Sequence, residues 1–139
     1  MIITSTEIEE RFDVPVLVPD VHYFVPSKKW LLKTFYNWYQ NQLFSMGLSY
    51  RKNFDCDKFA RGYAWLASVC LGAMYTNGIK SDGIAVGEVF YSIAGNRDRG
   101  HAINCAFIDN KKLVFIEPQT GKIVKLSKAE KDSIDFVRF

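Results

Sequence analysis

The chain has 139 residues, of which 48% are hydrophobic and 24% are charged, and its formal net charge is +3. This size and composition are typical of one globular domain with its own core, so we predict a single domain over residues 1–139. So small a net charge argues against nucleic acid or an anionic membrane as a partner.

The N-terminal segment and the cysteines indicate the cellular compartment of the protein. The first residues lack a basic and then apolar leader, and no apolar stretch approaches the roughly 20 residues of a membrane helix. Three cysteines lie far apart, and their odd number argues against a disulfide framework. We therefore expect a cytoplasmic protein with no membrane partner, and the sequence leaves its oligomeric state open.

The first third of the chain predicts an arm followed by a helix. Three prolines among β-branched valines favour extended backbone, and we take residues 1–26 as an extended N-terminal arm. Ser27 follows Pro26 and is a suitable N-cap residue. Apolar residues at helical spacing continue to about residue 45, and Gly47 is placed to end this helix.

A second helix is predicted to begin at Cys56, after a polar link. Apolar residues repeat on one face as far as about residue 75, and Asn77-Gly78 is expected to end the helix. Aromatic residues on the two helices are predicted to be core residues, because large rings contribute most to core burial. They are Trp30, Phe35, Trp38 and Trp65.

The rest of the chain, from residue 84 onwards, is predicted to be mainly β structure. Alternating and apolar runs separated by turn residues predict an antiparallel meander. Its strands are residues 84–93, 101–108, 113–117 and 122–126, followed by a solvated turn or short helix at 127–132 and a last edge strand at 134–139. Helices first and a meander afterwards indicate an α+β fold, with N-terminal helices packed on an antiparallel β-sheet.

Cys56 is the first residue in the chain that we consider as a nucleophile. At the start of a helix, backbone N–H groups and the helix dipole favour a thiolate and offer an oxyanion donor. The neighbouring Asp55 and Asp57 act against ionisation of the thiol unless one caps the helix or a cation neutralises them. In the plainer alternative, Asp55 is the N-cap and Cys56 is a small buried residue.

His101 and Glu117 complete a possible triad. His101 opens the strand AINCAFI, and Glu117 ends the run LVFIE, where a carboxylate is out of place without a partner. A hairpin between the two strands brings both residues to the same end, where Glu117 can hold the imidazole while its other nitrogen faces Cys56. We therefore expect the Cys56 sulfur within about 4 Å of a His101 ring nitrogen. Taken singly, each residue also fits an ordinary solvated turn.

Three segments together resemble a known superfamily. FDCDKFARGYAWLA, GHAINCAFID and LVFIEPQTG resemble the papain-like cysteine proteases and the bacterial transglutaminase-like cysteine proteases. They are similar in particular to the C-terminal protease domain of fungal agglutinins. The resemblance implies a papain-like fold in which Cys56 is the nucleophile, His101 the general base and acid, and Glu117 the residue that orients the imidazole.

The resemblance also implies a metal and substrate contacts. Domains of this type depend on a divalent cation, so calcium or manganese is expected at Asp55 and Asp57. Gln119 falls in the matched EPQ segment and is expected to line the site. Independently of the resemblance, Tyr50 just before Cys56 is expected to border the site, with an ordinary solvated loop as the plainer alternative.

The predicted function is a thiol-dependent hydrolase or acyltransferase that acts on amide bonds of a peptide or protein through a Cys–His–Glu triad. Two alternatives stay open at this point. One is a non-catalytic binding module that keeps the fold. The other is an amidase of cell-wall peptides, which uses the same thiol chemistry.

Overall fold

A computed structural model describes residues 1–74 and 80–139. The helices are α1 Ser5–Glu9, a π-helical segment Trp30–Phe35, α2 Tyr36–Ser45, α3 Cys56–Met74, a 3₁₀ turn Ile93–Gly95 and α4 Lys128–Asp132. The strands are β1 Ile2–Thr4, β2 Val16–Leu17, β3 His22–Phe24, β4 Gly83–Ile84, β5 Val86–Ser92, β6 Gly100–Ile108, β7 Lys112–Glu117, β8 Lys122–Val124 and β9 Phe136–Arg138. The predicted helix end at Asn77-Gly78 lies outside the described residues.

The strands form two sheets. The larger has the order β2-β9-β5-β6-β7-β8, and all its pairs are antiparallel except β2 with β9. The smaller has the order β1-β3-β4. The helices and the mainly antiparallel sheet confirm a mixed α+β domain, and the papain-like arrangement stays a prediction. No helix of the described ranges is long and apolar enough to span a membrane.

The two faces of the large sheet bury different parts of the chain. On β6, Ala106 and Ile108 face a core shared with α2 and α3, while Ile103 and Cys105 face a second core that includes Val137 of β9. This alternation is the period of two expected for a strand buried on both faces. It explains why the apolar run AINCAFI is nearly continuous.

The first helical region begins and ends as predicted. Ser27 Oγ accepts a hydrogen bond from the Trp30 N–H at 3.1 Å. Gly47 has φ +65°, a left-handed conformation that favours glycine, and it ends α2. The π-helical segment between these points was not predicted. It brings Trp30 and Phe35, five residues apart, into a stack with ring centroids 5.3 Å apart.

Three local expectations are wrong. Residues 1–26 are not extended throughout, because Thr4 and Glu7 form a capping box that starts helix α1. Strand β9 is not an edge strand, since it pairs with β5 on one side and with β2 on the other. Trp65 is not a core residue, because 65% of it is exposed.

A buried amide fixes α3 to the sheet. Asn104 of β6 is fully buried, and its Nδ2 donates to the carbonyl of Ala60 at 2.8 Å and to that of Gly87 at 2.9 Å. One side chain thus joins the second turn of α3 to strands β5 and β6. Because buried hydrogen bonds are costly to leave unmade, this contact sets where the start of α3 lies on the sheet.

We predict that Asn104→Leu lowers the free energy of unfolding by about 2–4 kcal/mol, because it removes two buried hydrogen bonds. Urea denaturation measures this. The matched control is Asn37→Leu on the exposed side of α2, which should stay within about 0.5 kcal/mol of the parent. An Asn104→Leu protein as stable as the control would contradict the role given to Asn104.

Glu7 provides a pH-dependent link between the N-terminal segment and the sheet. Its carboxylate accepts from Lys111 at 2.6 Å and from the Thr4 N–H at 2.8 Å. The hydrogen bond with Lys111, followed by that with Thr4, lowers the pKa of Glu7 from 4.5 to about 2. A depressed folded-state pKa stabilises the fold above the unfolded value, and this contribution is lost as the pH falls towards the folded value.

Glu7→Gln should therefore be less stable than the parent at pH 7, and the difference should shrink between about pH 4.5 and pH 2. Thermal unfolding across this range measures the difference, with exposed Glu10→Gln as the control. If the stability difference between the parent and Glu7→Gln stays constant down to pH 2, the charge of Glu7 contributes nothing to stability.

Candidate functional site

His101 and Glu117 form a close, mostly buried pair. The His101 Nε2–H donates to Glu117 Oε2 at 2.8 Å, and the two side chains are only 19% and 18% exposed. In the described part of the chain, the other ring nitrogen, Nδ1, makes no hydrogen bond. The predicted meeting of these two residues at one end of the hairpin agrees with this geometry.

The pairing follows from the register of the hairpin. Strands β6 and β7 pair from Ile108 with Lys112 to Asn104 with Ile116. Glu117 is one residue further along, so it lies diagonally across from His101 on the same face of the sheet. Two residues that are 16 apart in sequence are therefore held together by backbone pairing.

The turn after β7 holds the Glu117 carboxylate in place. The Gln119 N–H donates to Glu117 Oε1 at 3.1 Å, and the Gly121 N–H donates to the Glu117 carbonyl at 2.8 Å. Gly121 has φ +69°, and a Cβ there would lie 2.4 Å from the Tyr36 ring. Only glycine satisfies both the conformation and the close approach.

Cys56 is the first residue of α3 and is partly exposed. The helix starts with the Phe59 N–H donating to the Asp55 carbonyl at 3.0 Å. The first-turn N–H groups around Cys56 have no partner within the helix, so they are available to a ligand. Thus the predicted position of Cys56 at a helix start agrees with the structure.

Tyr91 packs against the imidazole of His101. It lies opposite His101 in the β5–β6 pairing, and the two rings meet edge to face with centroids 5.8 Å apart. Burial raises the pKa of Tyr91 to about 12, and the negative charges of Glu130 and then Glu117 add to this. Within the described residues no hydrogen bond joins the Cys56 thiol to His101, and the expected 4 Å approach stays a prediction.

Sequence reasoning missed two tyrosines at this site. Tyr91 could have been found from the register of β5 and β6 across the turn at residues 95–100. Tyr36 is buried against the Gly121 turn, and its pKa is raised by burial and then by the charge of Glu117. No local sequence signal marks Tyr36, since the contact joins α2 to the end of β7.

Asp55 and Asp57 share a lysine. The Lys58 Nζ lies 3.0 Å from Asp57 Oδ1 and 3.3 Å from Asp55 Oδ1. A hydrogen bond with Asp55, and then the contacts with Lys58, hold the pKa of Asp57 below its usual value. Calcium takes six to eight oxygen ligands, whereas this arrangement offers two carboxylates and an ammonium, which is a poor fit.

No cluster of three or more histidine, cysteine or acidic side chains suited to a metal occurs among the described residues. Calcium or manganese at Asp55 and Asp57 therefore stays a prediction, and no chemistry below depends on it.

The two predicted contact residues are exposed. Tyr50 is 62% exposed and stacks on Phe59, with ring centroids 6.4 Å apart. Gln119 lies on the surface in the turn after Glu117. Gln119 is next to Glu117 in the turn, and Tyr50 contacts Phe59 in the first turn of α3. Their contact with a ligand stays a prediction.

The chain is an α+β domain with an imidazole–carboxylate pair on a hairpin and a cysteine at the start of a helix packed on the same sheet. The model of the agglutinin C-terminal family matches residues 23–123, and the chain belongs to that family. No curated protein is similar enough to the chain to match.

Two solved structures share the fold. A PSL1a–E64 complex has a TM-score of 0.69 at 18% identity, over 99% of this chain and 50% of that one. Polyporus squamosus lectin, bound to the human-type influenza-binding epitope Neu5Aca2-6Galb1-4GlcNAc, has a TM-score of 0.64 at 20% identity. That match covers 93% of this chain and 43% of the lectin. The chain thus spans about half the length of these neighbours.

These findings correct the classification that the sequence suggested. The predicted resemblance to the C-terminal domain of agglutinins is confirmed. The classification as a cysteine protease or as transglutaminase-like is wrong, because the family is an agglutinin family and a structural neighbour is a lectin. Cys56, His101 and Glu117 indicated a region of the fold. Their side-chain chemistry alone does not show that the protein is a protease.

Cys56 should react with a thiol reagent faster than Cys105. Burial raises the pKa of the Cys70 and Cys105 thiols, and Cys105 is fully buried. Because thiolates are the reactive form, limiting iodoacetamide at pH 7 should modify partly exposed Cys56 at least about tenfold faster than Cys105. Peptide mapping by mass spectrometry measures the order, with Cys56→Ser as the control. If folded protein is modified at Cys105 before Cys56, the partial exposure of Cys56 and the burial of Cys105 are contradicted.

Proposed function

We propose that this chain is a binding module and that Cys56, His101 and Glu117 form its ligand site, called here the thiol–imidazole site. The single observation that carries the proposal is the His101–Glu117 pair at 2.8 Å. Burying a polar pair is costly, and a fixed imidazole whose second nitrogen lacks a partner in the described residues is suited to a ligand hydrogen bond. The agglutinin family and the lectin neighbour favour binding as the main function.

We propose a peptide segment of a protein as the ligand. A peptide carbonyl can accept from the free N–H groups at the start of α3, and a peptide N–H or carbonyl can bond to His101 Nδ1. Exposed Tyr50, stacked on Phe59 of α3, offers an aromatic surface for an apolar side chain. The glycan of Polyporus squamosus lectin is bound by a protein of which this chain spans less than half, so it does not guide the choice here.

A second candidate function at the same site is thiol-dependent hydrolysis or acyl transfer by the three side chains. It concerns their chemistry and not membership of a protease or transglutaminase family, which the comparisons contradict. It is favoured by the orientation of the imidazole, whose Nε2 is held by Glu117 while Nδ1 is left for the thiol. The Cys56 sulfur would attack an amide carbonyl after His101 takes the thiol proton. That proton would go to the leaving amine, and water would hydrolyse the resulting thioester.

One experiment separates the two candidates. Fluorescein-labelled unfolded casein is titrated with the protein, and anisotropy measures binding while release of small fragments measures turnover. The binding proposal predicts saturable binding without fragments, weakened at least about tenfold by His101→Ala, which corresponds to about 1.4 kcal/mol. Cys56→Ala should keep binding within about threefold, because the ligand is held mainly by His101 and backbone groups.

The controls use residues away from the site. Cys70→Ala and Phe44→Ala, the latter at an 87% exposed position on α2, should bind casein as the parent does. Each measurement is made with calcium and with a chelator, which also tests the metal prediction at Asp55 and Asp57. Fragment release that is lost in Cys56→Ala but kept in Cys70→Ala would replace the binding proposal with the thiol-hydrolase candidate. Absence of both binding and turnover would overturn both candidates.

A further inference from the structure

A pocket of about 340 Å³ lies between α3 and the C-terminal strand β9, and it contains none of the residues of the thiol–imidazole site. Its volume is at the lower end of the range for small-ligand sites, about 300–1,000 Å³. The lining includes Arg61, Trp65 and Ser68 of α3, Glu88 of β5, and Arg138 and Phe139 at the end of the chain. We call it the α3–β9 pocket.

Glu88 gives this pocket a buried carboxylate with an unused acceptor. The side chain is only 2% exposed. Its Oε1 accepts from Arg138 Nη2 and lies 4.0 Å from Arg61 Nε. Its Oε2 is buried and has no hydrogen-bond partner among the described residues. A buried carboxylate oxygen without a donor is uncommon in folded proteins, and a ligand that brings a donor would satisfy it.

Trp65 gives the same pocket an exposed aromatic face. It lies on α3 one turn after Arg61, and 65% of it is exposed. A tryptophan left in water forgoes the burial that large aromatic rings usually obtain. The ring lines a pocket that also holds a buried carboxylate. It can therefore pack against an apolar part of a ligand.

The charges of the pocket restrict the class of ligand. Two arginines and one glutamate leave a net positive charge, which disfavours an ammonium or guanidinium ligand. A simple anion could pair with the arginines but would leave Glu88 Oε2 unsatisfied and would be repelled by it. A neutral polyol can donate to Glu88, accept from Arg61 and Arg138, and place C–H groups on an aromatic face.

From this combination we propose that the α3–β9 pocket binds a neutral sugar ring. One hydroxyl donates to Glu88 Oε2, a second accepts from Arg61 or Arg138, and the apolar face of the ring packs on Trp65. The proposal adds a second ligand site to the module. It does not rest on the thiol–imidazole site, because the two sites share no residue.

The test uses the indole N–H signals of the three tryptophans in ¹H–¹⁵N NMR. The protein is titrated with the methyl glycosides of glucose, galactose, mannose and N-acetylglucosamine. At least one glycoside should move the Trp65 indole signal saturably, with a Kd in the millimolar range, and leave those of Trp30 and Trp38 in place. Glu88→Gln should weaken binding at least about tenfold, and Phe44→Ala should leave the Kd within about twofold.

Trp65→Ala provides a second variant for the case that Glu88→Gln does not fold, since an exposed residue can be replaced with little cost to stability. With this variant, binding is followed through the backbone amides of Arg61 and Ser68 and should again weaken at least about tenfold. The proposal is overturned if no glycoside moves the Trp65 signal up to about 50 mM, or if the Kd is unchanged in the folded variants. Movement caused by lysine amide or inorganic phosphate but by no glycoside would also overturn it.

Discussion

The buried amide of Asn104 is the contact on which the candidate site depends. Its two hydrogen bonds join Ala60 of α3 to Gly87 of β5, and Asn104 itself belongs to β6. Cys56 lies one turn before Ala60, and His101 lies three residues before Asn104 on the same strand. A polar side chain at the centre of an apolar strand therefore sets the position of the helix that carries the thiol relative to the strand that carries the imidazole. Its fully buried position makes substitution by an apolar residue costly.

The second constraint is the hairpin of β6 and β7 with its following turn. Backbone register places Glu117 beside His101, and the turn to Gly121 fixes both carboxylate oxygens, one on the imidazole and one on the Gln119 N–H. Gly121 is required for this turn by its positive φ and by the Tyr36 ring next to it. Because backbone register and the turn hold both side chains, the pair has little conformational freedom left to lose.

Local signals made much of this predictable. The N-cap at Ser27, the helix end at Gly47, the helix start at Cys56 and the hairpin around Asp109 each depend on turn and capping chemistry within a few residues. The position of β9 between two strands could not be predicted, because it depends on pairing with Val16–Leu17 about 120 residues earlier in the sequence. Likewise, the exposure of Trp65 depends on which face of α3 meets the sheet. The predicted juxtaposition of His101 and Glu117 agrees with the structure, but side-chain chemistry alone does not name a ligand.

We propose that Cys56, His101 and Glu117 form one site. Long-range ¹H–¹⁵N NMR of the imidazole rings tests this most directly, because the chain has only two histidines and exposed His22 serves as an internal control. If the three residues form one site, Nε2 of His101 carries a proton, and the Nδ1 signal of His101 but not that of His22 changes when Cys56 is replaced by alanine. His101 ring signals that are identical in the parent and in Cys56→Ala, with the Nε2 proton absent, would contradict it.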